Sequence, residues 1–153
     1  MERLSPGWNR SATSNTRSNY VGPLPSETSH VWANTMKIRL KVEGRVLTAT
    51  LIDNETTQDF VSLLPLRLSM NDLFRREKFA HLPRAISEGG ERAQAYEVGE
   101  VIYWPPGPDL AIFYRHDGQA IPDPGVIVIG KIDSGVEALN VPGPVTAIIE
   151  LIK

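Results

Sequence analysis

The chain contains no cysteine among its 153 residues. Disulfides, thiolate metal sites and a cysteine nucleophile are thereby excluded. It also lacks a long apolar run: Gly125–Gly130 and Ala147–Ile149 are among the longest, far short of the roughly 20 residues a membrane helix needs. Behind Arg3 the order Leu-Ser-Pro-Gly-Trp-Asn has no apolar segment of the signal-peptide kind. Charge of one sign is missing too, since 16 Lys and Arg face 18 Asp and Glu for a formal net charge of −2. Such a chain exerts little long-range pull on phosphate backbones or anionic lipid, so neither nucleic acid nor a membrane is expected as a partner. The cytoplasm is the expected compartment. Histidine is scarce, and His30, His81 and His116 show no ligand spacing with one another or with a carboxylate. No metal and no cofactor is therefore expected. Neither Gly-x-Ser-x-Gly nor Gly-x-Gly-x-x-Gly occurs, which removes a nucleophile elbow and a dinucleotide loop.

What is present begins in earnest at Met36. Residues 1–35 are rich in Ser, Thr, Asn, Arg and Pro with isolated aromatics, a composition that buries too little apolar area to offset its ordering entropy. They are expected to form a flexible leader, with Met36 as a candidate natural start. The alternation of Ile38, Leu40 and Val42 with Lys37, Arg39 and Lys41 predicts a half-buried strand. Glu43-Gly44-Arg45 predicts a tight turn, and Val46–Ile52 completes a hairpin. Asp53 or Asn54 is placed to cap a helix over 55–64, which Pro65 ends. Strands follow over 66–70, 101–104, 110–114, 126–132 and 145–152, with 77–82 ambiguous and 84–99 a loop. One helical turn is expected within 135–140. Many short strands, Gly/Pro turns and little helix imply a mainly β domain over 36–153, a barrel or sandwich. Arg75-Arg76-Glu77-Lys78 reads as a mixed-charge face in water.

Several stretches together resemble the cyclophilin-like family of small bacterial and archaeal domains. They are Met36–Leu40, Ala49–Pro65, Glu77–Pro83, Val98–Tyr114 and Ile129–Leu139, the last reading Ile-Gly-Lys-Ile-Asp-Ser-Gly-Val-Glu-Ala-Leu. The resemblance implies a closed β-barrel of about eight strands with short helices over its ends. It brings a fold and little chemistry. Prolyl isomerases of that fold rotate an X–Pro amide using an Arg, a Gln, a His and a Trp. By the resemblance, their His falls near Val126, their Trp near Ile121 and their Gln near Leu110, all aliphatic here. Arg84 and Arg115 are the candidates for the Arg. The family also has members that accompany flavodoxin-like or other redox proteins in one chain, which this sequence does not test.

The richest cluster is Tyr96, Tyr103, Trp104, Phe113, Tyr114, Arg115 and His116. Aromatic bodies with polar tips on neighbouring strands can line a pocket near one barrel end, or simply form core and rim. Arg84 or Arg115 is the donor suited to a carboxylate or a peptide carbonyl. The expected ligand-binding set is thus Arg84, Tyr96, Tyr103, Phe113, Arg115 and His116, with no catalytic residue assigned. The expected function is binding of a small molecule or a proline-containing peptide without robust isomerase activity. The alternative is a divergent peptidyl-prolyl cis-trans isomerase.

Overall fold

A computed structural model of the chain describes residues 36–153. The expected leader, 1–35, lies outside the described residues. Nine strands follow in chain order: β1 (Lys37–Val42), β2 (Arg45–Leu51), β3 (Leu66–Leu73), β4 (Glu77–His81), β5 (Arg92–Ala93), β6 (Glu100–Trp104), β7 (Asp109–Phe113), β8 (Val126–Ile132) and β9 (Val145–Ile152). One helix, α1 (Glu55–Val61), and a 3-10 turn over Val136–Leu139 complete the elements.

Every pairing is antiparallel, and eight strands close in the cyclic order β1-β2-β8-β6-β7-β4-β3-β9. Two-residue β5 adds itself to the start of β8 beside that closure. The domain is therefore a closed barrel, which leaves no long edge for the apolar β8 to offer another chain. Ile38, Leu40 and Val42 on β1 point inward with no exposure, as the period of two demands. On β7, Leu110 and Ile112 join the same interior cluster, while Ala111 and Phe113 are buried outside it. Strand β7 is thus buried on both faces.

The first hairpin turns at Glu43-Gly44, with φ of 48° and 81°, the left-handed pair that suits the twist of a two-residue hairpin. Asn54 caps α1, its Oδ1 accepting from the Thr57 N–H at 2.8 Å. The helix ends at Val61 rather than at residue 64. Ser62 Oγ donates to the Asp59 carbonyl at 2.6 Å, Leu63 and Leu64 take tighter i→i−3 bonds, and Pro65 disfavours helical geometry before it.

One expectation fails outright. Arg76 and Glu77 are each 6% exposed and Lys78 is fully buried, so of this run only Arg75 faces water. Strand alternation supplies the reason: Lys78 pairs with inward Ile112 and Glu77 with outward Phe113. Lys78 points into the barrel, where Nζ donates to Asp72 Oδ1 at 3.0 Å and to the carbonyls of Val141 at 2.7 Å and Gly143 at 2.6 Å. All three ammonium donors are satisfied, and the barrel end is tied to the loop before β9.

Candidate functional site

On the outer face at the β3–β4 end, Arg76 follows a turn at Phe74-Arg75. Its Nε donates to Glu77 Oε2 at 2.9 Å, Nη2 contacts the same oxygen, and Nη1 lies 3.6 Å from Asp117 Oδ2. Its guanidinium carbon sits 5.3 Å from the Phe74 ring centroid and 5.4 Å from those of Tyr96 and Phe113. A weakly hydrated planar cation suits such a position, because ring faces and carboxylates replace its water.

The aromatic part is a stack. Tyr96 lies on Phe113 at 4.0 Å and on His116 at 4.3 Å, with interplanar angles of 20° and 11°. Its hydroxyl donates to Asp117 Oδ1 at 3.0 Å and accepts from the Asp117 N–H at 3.1 Å. Strand β7 supplies Phe113, and the segment just beyond it supplies His116 and Asp117. The 94–99 segment lays Tyr96 over them. Inner members of the cluster are buried, whereas His116 is exposed and Phe74 is 67% exposed.

The charges are arranged around burial. Burial pushes the Glu77 carboxyl above its ordinary range, and Arg76 beside it offsets this only in part. Asp117 is held below its usual range, first by the Gln119 N–H and then by Tyr96 and Arg76 against the effect of burial. Burial raises Tyr96. Inside the barrel, burial and then the Asp72 carboxylate push Tyr114 up to about 12, so its hydroxyl stays protonated and donates to Asp72.

Among the six residues expected to bind a ligand, three converge: Tyr96, Phe113 and His116. Arg115 borders them, its Nε donating to the Arg75 carbonyl at 2.8 Å. Tyr103 faces the barrel interior with no exposure, and its hydroxyl accepts from the Ile86 N–H at 3.1 Å. Arg84 is committed to α1 through Asp59 Oδ1 at 2.9 Å and Ser62 Oγ at 3.1 Å. The sequence reading missed Phe74, Arg76, Glu77 and Asp117. A signal existed: if Ala80 and Leu82 face inward on a strand, Lys78 must do so too, and Glu77 must face Phe113.

Among the described residues, no group of three or more His, Cys, Asp or Glu could hold a metal ion, and no helix is long and apolar enough to cross a membrane. The profile of the cyclophilin-like family matches residues 40–150, nearly the whole ring of strands. The chain belongs to the cyclophilin-like family. A hypothetical protein of Archaeoglobus fulgidus, known from its solution structure, is similar at 24% identity and a TM-score of 0.62, over 76% of this chain and 94% of that one. At that identity the likeness speaks for the fold alone. No curated protein matches. In this cyclophilin-like barrel, Leu110, Ile121 and Val126 are all buried aliphatics. Leu110 faces the interior, on the opposite side of the sheet from the aromatic stack.

Proposed function

We propose that the domain binds a peptide or small molecule on the outer face of β4 and β7, where Arg76, Tyr96, Phe113 and His116 meet, and that it is not a robust prolyl isomerase. The observation that carries this reading is the half-open stack. Its inner rings and Arg76 are fixed by one another, while the His116 and Phe74 rings remain open to solvent. A rigid aromatic surface of that kind suits the flat face of a proline ring or an aromatic group, since little side-chain entropy is lost on binding. Isomerisation demands more. The amide barrier of about 20 kcal/mol falls only where polar groups favour the twisted amide over the planar one, and the corresponding positions carry aliphatics.

The test is a titration of the isotopically labelled chain with short proline-containing peptides, followed at the amides of Tyr96, His116 and Gly118. Saturable shifts confined to these amides and their neighbours support the reading; shifts elsewhere, or none, end it. The alternative, a divergent isomerase, is checked in parallel by peptide isomerisation with wild type, Arg84→Ala and Arg115→Ala. A rate above background that drops in either variant would overturn binding without catalysis. A cysteine-free domain of this kind suits the reducing cytoplasm.

A further inference from the structure

The β3–β4 hairpin turns through Phe74 and Arg75 at φ of 59° and 50°, closed by the Arg76 N–H on the Leu73 carbonyl at 3.0 Å. This is the geometry for which Asn-Gly is the ordinary choice. A bulky side chain in the left-handed region is strained, and two in succession are unusual. The β1–β2 hairpin makes its left-handed turn with a glycine at the second position, so the fold itself does not demand bulk at such a corner.

The strain is held in place from three directions. Asp72 Oδ2 accepts from the Arg75 N–H at 3.0 Å. Arg115 Nε donates to the Arg75 carbonyl at 2.8 Å. The Arg76 carbonyl accepts from the N–H groups of Tyr114 at 2.9 Å and Arg115 at 3.2 Å. Strained conformations that their surroundings over-determine are often part of a working site. Here the result is a fixed corner with an exposed aromatic, Phe74, and two exposed guanidinium groups, those of Arg75 and Arg115.

Neither arginine makes an ion pair among the described residues, in contrast to Arg39, Arg76, Arg84 and Arg92. The Nε–H of Arg115 is used to fix the turn, and the residue is exposed. Next to this pair, the charge of Arg76 is already balanced by Glu77 and Asp117. The corner therefore carries two positive charges without an ion-pair partner among the described residues, beside a flat apolar group. We propose that it is an anion-binding subsite of the outer-face site, taking a carboxylate or phosphate whose attached ring or apolar group lies against Phe74. This deepens the binding reading above and rests on it. The planar donor forks of Arg75 and Arg115 match either anion, and the Phe74 ring gives selectivity for an anion that carries an apolar body.

Phenyl phosphate, phenylacetate and the neutral benzyl alcohol are the probes, titrated into the labelled full chain at low salt. Both anions, or one of them, are expected to shift the amides of Phe74, Arg75, Arg76 and Arg115, with benzyl alcohol inert there. Binding of phenyl phosphate alone would identify a phosphate as the natural anion; binding of phenylacetate would identify a carboxylate. Arg75→Gln and Arg115→Gln are each expected to weaken the anion by about fivefold or more, as is about 0.5 M salt. Arg75→Gly relieves the backbone and should lose affinity to the same degree without any fall in melting temperature, which separates recognition from folding. The proposal is overturned if benzyl alcohol shifts these amides as strongly as the anions, if both glutamine variants bind within twofold of wild type, or if no probe acts there. In those cases the broader binding reading stands or falls on its own titration with proline-containing peptides.

Discussion

Tyr103 and Phe113 lie on neighbouring, hydrogen-bonded strands and face opposite sides of the sheet. The register pairs Tyr103 with Leu110 and Val101 with Ile112, which puts Tyr103 among the interior residues; Phe113, one place beyond Ile112, is turned outward to Tyr96. Two aromatics expected to share a pocket are divided by the wall of the barrel.

This division predicts separable effects. Tyr103→Phe removes the acceptor for a buried backbone N–H, that of Ile86, and should destabilise the fold by about 1–3 kcal/mol. Binding at the outer face should not change. Denaturant unfolding together with a ligand titration checks both halves, and a loss of binding at full stability would contradict the separation.

Glu77 has a different weight. In Glu77→Ala the buried Arg76 keeps only Asp117, at 3.6 Å, and removal of one partner from a buried ion pair costs about 3–5 kcal/mol. Glu77→Gln, which retains an acceptor oxygen, should cost clearly less. Equal losses in the two variants would mean that the pair is not what holds Arg76 in place.

Acid should weaken the protein through its aspartates. Hydrogen bonds from Arg84 and the Ser87 N–H lower Asp59. At Asp72 and Asp133 burial acts upward, but Tyr114 and Lys78, and Lys37, Thr50 and Thr48, outweigh it. Each folded value lies beneath the unfolded one. The resulting stability is complete above about pH 4–5 and is lost as pH falls through the depressed values. Glu77, raised by burial, runs the other way: its contribution is greatest below the ordinary Glu range and declines as pH rises. Three aspartates besides Asp117 oppose one glutamate, so the unfolding midpoint should drop on acidification. Asp133→Asn should flatten that drop, and an unaltered profile would remove Asp133 from the explanation.

Relief of the strained corner should show in stability as well. Arg75→Gly at φ 50° removes a left-handed penalty, partly offset by the entropy of glycine in the unfolded chain, for a net gain of about 0.5–1 kcal/mol. A loss measured by urea unfolding would mean that the Arg75 side chain supports the fold.

The ring of eight strands closes within residues 36–153. A fragment of those residues should therefore fold with a melting temperature within a few degrees of the full chain. A large fall in scanning calorimetry would assign the first 35 residues a part in the fold.

The sequence alone determined the strands whose pattern is local. Ile38, Leu40 and Val42 announce their inward face because charged neighbours alternate with them, Asp53 and Asn54 announce a cap between them, and 126–132 and 145–152 are bounded by turn residues at the observed places. A period of two is a property of the nearest neighbours and needs no partner to be read. Only the tertiary structure decided which way the residues of β7 and β4 face. Leu110 to Phe113 are all apolar, so no contrast marks the inner side, and Lys78 is charged yet points inward. Its burial depends on Asp72 and on the carbonyls of Val141 and Gly143, just as that of Arg76 depends on Asp117 and Tyr96. Partners so distant along the chain are brought within hydrogen-bonding reach by barrel closure, and closure is set by strand register, which side-chain pattern does not encode where both faces of a strand are buried.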